Sequence, residues 1–261
     1  MQAHLHAARA WFLTAWLGQT IFFLYIVLFY ASAVIAGDLS RWAKVLPIGL
    51  VPGDTWGNLS LASHLALSAF ITFAGPLQVI PRLRARLPGL HRWLGRLYIP
   101  TALILSLTGL YLIWFKGTVG GTVQHLGTSF NALLIVAFSV LAWRTARARD
   151  FVAHRRWALR LFLVVSGVWF FRVGLMFWIL ANRGPVGFDP KTFLGPFLDI
   201  LTFAQTLVPL AALELYFRAS AANSKNLRLG TAGAMYACTA VTAIGIAGAT
   251  MFMWWPRMRV F

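Results

Sequence analysis

Seven apolar stretches, each long enough to cross a bilayer as a helix, follow one another along the chain at 11–36, 59–80, 90–115, 123–143, 153–181, 194–217 and 230–254. A helix rises 1.5 Å per residue, so about 20 apolar residues span the hydrocarbon core. Glycine and proline punctuate every second gap. Gly37, Pro47, Pro52 and Gly53 mark the first, Gly117, Gly120 and Gly121 the second, and Gly184, Pro185, Gly187 and Pro190 the third. The first and third of these loops are long enough to lie over the bundle as caps. The pattern predicts an all-α polytopic membrane helix bundle of about seven transmembrane helices. It forms a single domain over 1–261, in which two helical hairpins, 59–115 and 123–181, make a four-helix core flanked by the other three helices.

Composition agrees and removes alternatives. Hydrophobic residues make up 59% of the chain and charged residues 11%, with a mean hydropathy of +0.73, whereas a soluble domain carries about 25% charged residues. A net charge of +17 in a soluble protein would suggest nucleic acid. Here the arginines sit in short connections between apolar runs, which orient a membrane protein against an anionic leaflet, so nucleic acid is not an expected partner. Arg9, the arginines of 82–96 and of 144–160, Arg218, Lys225 and Arg228 lie on one side. Arg41, Lys44, Lys116, Arg183, Lys191, Arg257 and Arg259 lie on the other. The bias predicts a multi-pass protein of a bacterial inner membrane, with the N-terminus cytoplasmic and the C-terminus periplasmic. The first stretch is too long for a signal-peptide core and reads as a retained helix. The single cysteine, Cys238, excludes internal disulfides and multi-cysteine metal sites, and reads as a small buried hydrophobe.

An internal repeat carries the candidate chemistry. Arg84-Ala85-Arg86, four residues, then His91-Arg92-Trp93 recurs as Arg147-Ala148-Arg149, four residues, then His154-Arg155-Arg156-Trp157. Each copy has a histidine upstream: His64 lies 27 residues before His91, and His125 lies 29 before His154. Counting back from Arg82 and Arg144 places His64 and His125 at matched depth near the outer face, with His91 and His154 at the inner face. Two neutral imidazoles on facing helices are what a membrane haem needs. The alternative is that interfacial histidines beside arginine only hydrogen-bond backbone or lipid phosphate.

Gly75-Pro76-Leu77-Gln78, His91-Arg92-Trp93-Leu94-Gly95-Arg96, Gly120-Gly121 and His154-Arg155-Arg156-Trp157 resemble an uncharacterised family of bacterial polytopic membrane proteins, domain of unknown function 2306. The resemblance covers about 59–180. More remotely, the order of histidines is similar to the ascorbate-reducible transmembrane cytochromes b, in position and spacing only. That likeness implies two haem b groups, an outer one on His64 and His125 and an inner one on His91 and His154. It implies an oxidoreductase that passes electrons across the membrane from a quinol or small reductant. The substrate-loop motifs of that family are not found here.

Arg172 is the one cation well inside a predicted helix, where an unpaired charge costs at least about 2.5–3.5 kcal/mol. Asp199 at comparable depth is its expected partner, with a haem propionate or an anionic substrate as the alternatives. Glu214 is expected to meet Arg218 one turn on. Gln78, Asn131 and Gln205 are candidates for cross-helix hydrogen bonds or a quinone headgroup. No nucleotide-binding glycine loop, zinc-protease motif or nucleophile motif occurs. Beside the cytochrome reading stands a non-haem transporter, or a lipid-binding or assembly protein, built on Arg172 and the histidines.

Overall fold

The structure, a computed structural model, describes residues 3–46 and 48–259. Four unbroken helices come first: α1 (Ala3–Ile35), α2 (Thr55–Val79), α3 (Pro88–Lys116) and α4 (Thr122–Arg147). The fifth span is two half-helices, α5 (Phe151–Val165) and α6 (Gly167–Ala181), bent by 54° at their junction. Two more spans, α7 (Pro196–Ala221) and α8 (Lys225–Met258), complete the bundle. The expected all-α, roughly seven-span architecture is what the chain adopts, and it belongs in a lipid bilayer. Among the described residues the only β-type pairing is an isolated bridge between Asp189 and Leu194.

The helix ends follow local chemistry. Asp54 caps α2 by accepting from the Gly57 N–H at 2.9 Å, and Asp150 caps α5 by accepting from Ala153 at 2.9 Å. Pro88 and Pro196 open α3 and α7, where a missing N–H is harmless. Widened π-type turns interrupt α1 at Val27–Ala31, α3 at Leu112–Lys116 and α8 at Ala249–Trp254. All three lie away from the arginine-rich end of the bundle.

The break in the fifth span has a visible cause. The Ser166 hydroxyl donates back to the Phe162 carbonyl at 2.8 Å, which competes with the helix ladder. Ser166 in turn accepts from Gln19 Nε2 of α1 at 2.9 Å. Asn131 of α4 donates to the Val164 carbonyl at 3.0 Å and accepts from Thr206 of α7 at 2.8 Å. Backbone groups released inside a membrane need partners of this kind. The sequence predicts one unbroken helix here because Ser166-Gly167 is a short polar interruption in an otherwise apolar run.

The helices pack as a connected ring: α1 on α2, α2 on α3, α3 on α4, and α4 on both α5 and α7. Half-helix α6 is wedged between α7 and α8, and α8 closes the ring against α1. One core joins α1, α6 and α8 through Phe22, Trp169, Met176, Ile246 and Trp254. A second joins α2 to α5 through Ile71, Tyr98, Ile135, Leu161 and Val164. Leu17, Phe73, Leu107, Leu133, Ile200 and Met251 are exposed on the outside of the bundle, a surface that lipid covers.

Candidate functional site

A cavity of about 370 Å³ lies among α1, α2, α3, α4, α6 and the α5–α6 junction, within the size range of small-molecule sites. Its wall is mostly aliphatic and aromatic, with a few polar groups: His64 and Thr72 from α2, Ser106 from α3, Asn131 from α4, Gln19 from α1, and Arg172. Leu46 and Ile48, from the loop after α1, and Lys116 to Thr118 line its far end. A clasp stands there. Lys116 Nζ donates to Asp54 at 2.9 Å and to Asn58 at 3.2 Å, and Asn58 bonds the Val51 backbone in both directions. The Lys116 ammonium, with the Gly57 N–H, holds the Asp54 carboxyl below its ordinary range.

Arg172 is on this wall with no carboxylate paired to it among the described residues. Its guanidinium donates to the Val168 carbonyl at 3.1 Å and sits 5.5 Å from the centre of the Phe22 ring. The expected pairing with Asp199 does not form. Asp199 is in the first turn of α7, whose neighbours Leu198 and Leu201 pack on Phe171 and Leu175 of α6. Arg172 is about 100° around α6 from Phe171 and looks toward α1 instead. Asp199 needs no cation, because a helix N-terminus already favours a carboxylate. The expected Glu214–Arg218 pair is also replaced: Glu214 accepts from Arg160 Nε at 2.7 Å, joining α7 to α5.

The four histidines divide differently from the expectation. His91, His125 and His154 each close the first turn of their helix through the backbone N–H. His64 is deeper, about 13 Å from the start of α2, against about 4 Å for His125 from the start of α4. The matched depth of that pair fails because Arg82 belongs to a separate short helix, Pro81–Arg86, set off by a break at Ile80. Arg144, by contrast, is still within α4. His64 lines the cavity together with Arg172, its Nδ1 3.0 Å from Thr108 Oγ1. His125 does not line it: its ring meets Trp114 edge-on at 5.8 Å, and its enclosed Nε2 has no partner.

His91 and His154 both stand at the arginine-rich end, each one turn into its helix. His154 Nδ1 donates to the Ala142 carbonyl at 2.9 Å, which leaves Nε2 as the nitrogen without a ring proton. His91 Nδ1 is buried without a partner, as are Gln78 Nε2, Tyr98 Oη and Ser139 Oγ nearby on α2, α3 and α4. A buried, unpartnered ring nitrogen on His91 and a second imidazole on His154 are the donor chemistry that a haem would take at this end, though neither residue lines the cavity. A second haem between His64 and His125 is not fitted, since the two share no cavity wall. No cluster of three or more His, Cys, Asp or Glu converges as for a metal ion among the described residues.

Several polar residues of the wall escaped the sequence reading, Gln19, Ser166 and Trp169 among them. Trp169 is 3% exposed, and its indole N–H, though buried, has no hydrogen-bond partner. Ser166-Gly167 inside an apolar run is the signal that could have pointed to this region.

A family model described as "Predicted membrane protein (DUF2306)" matches residues 61–191, half of the chain. The chain belongs to this family. No curated protein and no solved structure matches it. The DUF2306 region runs from α2 through α6 and holds all four histidines, Trp169 and Arg172. Gln19, Tyr25 and Tyr30 of the cavity wall come from α1, outside that region. Chemically, the DUF2306 cavity can hold an apolar body along its sides while Arg172, His64 and Trp169 offer polar hydrogens to one end.

Proposed function

We propose that this membrane protein takes a small amphipathic molecule into the cavity beside α6, as a transporter or lipid-binding protein does. The apolar part lies along Ile71, Leu105, Ile135 and their neighbours, and the polar part meets Arg172. The observation that carries this reading is Arg172 itself: an intramembrane cation on a cavity wall, with no carboxylate paired to it among the described residues. The arginine-rich end is assigned to the cytoplasm of a bacterial inner membrane, which puts the clasp of Lys116 and Asp54 on the opposite face. The test is photoaffinity labelling of the full chain in neutral lipid nanodiscs with a diazirine-bearing dodecyl amphiphile. Label is expected on α2, α3 and α6 at cavity residues, and excess unlabelled amphiphile removes it. Label confined to lipid-facing residues such as Phe73, Leu107 and Leu133, unaltered by competitor, overturns the reading.

A second reading is favoured by the buried, unpartnered ring nitrogen of His91 and by the equivalent place of His154 one turn into its own helix. In it the chain is a b-type cytochrome, an oxidoreductase between a quinol or small reductant and an acceptor. A haem b would supply single-electron transfer there. His154 would ligate through Nε2 while Ala142 fixes its tautomer, and His91 would supply the opposing imidazole. A pyridine haemochrome assay with iron quantitation on protein from haem-replete cells decides it: about one haem per chain supports the reading, and none rejects it.

A further inference from the structure

We infer that the molecule held in the cavity carries an anionic head group, a carboxylate or a phosphate, and that this head group sits at mid-membrane against the broken fifth span. The inference rests on the amphiphile reading above and adds the chemistry and place of the polar end. Four observations converge.

Among the described residues the wall carries Lys116 and Arg172 as cations and no Asp or Glu. Lys116 is committed to Asp54 at the mouth, so Arg172 is the charge that a ligand meets. Arg172 is about 13 Å from the end of α6 at Ala181, and His64 about 13 Å from the start of the antiparallel α2. The two side chains thus stand at one depth, well inside the bilayer.

The junction of α5 and α6 lines the same cavity through Val165, Ser166, Val168 and Trp169. It is the N-terminus of a 15-residue half-helix, with no side-chain cap on its first N–H groups. Such a terminus carries partial positive charge and presents polar hydrogens to an anion. The Trp169 indole N–H is a separate observation of the same kind: the residue is 3% exposed, and its buried N–H has no partner among the described residues. A half-helix N-terminus, an indole N–H and a guanidinium, gathered one turn apart, all prefer negative charge. A neutral head group would leave the guanidinium uncompensated in low dielectric.

Equilibrium binding to the full chain in phosphatidylcholine nanodiscs tests this. The probes are radiolabelled dodecanoate and dodecyl phosphate, dodecanol and decylubiquinone as neutral amphiphiles, and inorganic phosphate as the free anion. The charged amphiphiles are expected to bind and to displace one another, with each neutral probe weaker by at least about 10-fold. Arg172→Met should weaken dodecanoate by about 30-fold or more, as loss of a buried charge-assisted contact does. Trp169→Phe, which keeps the ring and removes the N–H, should weaken it about 5-fold. If Arg172→Met does not fold, Trp169→Phe and the wild-type comparison of charged with neutral probes still decide. Saturable displacement of dodecanoate by inorganic phosphate alone would identify a free anion as the source, and its absence a lipid-like one; the anionic assignment stands either way. Equal binding of dodecanol and dodecanoate, or of decylubiquinone in their place, overturns the anionic head group and leaves the amphiphile reading standing. If none of the amphiphiles binds, both fall.

Discussion

Arg172 decides more than any other residue. A guanidinium within a span usually finds an acid, and the sequence offers Asp199 at similar distance along the next helix. The structure turns the two apart, because neighbouring positions on α6 point about 100° from each other and Phe171 takes the side facing α7. Asp199→Asn should therefore change stability by no more than about 0.5 kcal/mol. Combined with Arg172→Met, it should be additive in thermal unfolding. The contrasting pair is Arg160 with Glu214, where a double-mutant cycle should give a coupling of about 0.5–1 kcal/mol. Coupling between Arg172 and Asp199 would reverse the first assignment, and none between Arg160 and Glu214 the second. The residue-level lesson is plain. Sequence names the charged groups, but rotation about the helix axis chooses their partners, and that rotation is set by packing on helices far away in the chain.

Among the elements, spans were legible and breaks were not. Apolar length located α2, α3, α4, α7 and α8 within about five residues, since crossing a bilayer demands it, whereas α1 begins at Ala3, eight residues before the apolar stretch that marked it. The bend at Ser166 rests instead on side chains from α1 and α4 that no local pattern reveals. The repeat was half legible. His91 and His154 keep equivalent places one turn into their helices, whereas the helix Pro81–Arg86 displaces the first copy's arginines and separates His64 from His125 in depth. Close approach of α6 and α8 has a sharp test. A Cβ on Gly245 would overlap the Val173 carbonyl, so Gly245→Ala should lower stability by about 1–3 kcal/mol, read as a fall in the thermal midpoint. An unchanged midpoint would mean the helices stand further apart. At the mouth, the lowered Asp54 carboxyl means that its tie to Lys116 contributes stability above the unfolded carboxyl range. The contribution is lost as pH falls through the lower folded value. Proteolysis of the 45–54 loop should be slow at neutral pH and faster in Asp54→Asn; equal rates would show that the clasp holds nothing.

For the whole molecule, the fold class was legible because the bilayer restricts the choices to helices with satisfied backbones. Function was less so. The cavity is assembled from α1, α2, α3, α4 and α6, and its polar residues are scattered from Gln19 to Arg172 with no common spacing. Orientation has its own test: a reporter fused after Arg149 should behave as cytoplasmic and one after Arg259 as external. The same side for both would contradict seven crossings. The most direct measurement of the central claim is an experimental structure of the chain purified with its native lipids, resolved well enough to see side chains. The account predicts non-protein density in the cavity, its polar end against Arg172 and the Trp169 indole N–H. A cavity filled by the protein's own side chains, with Arg172 turned onto a carboxylate of this chain, would contradict it.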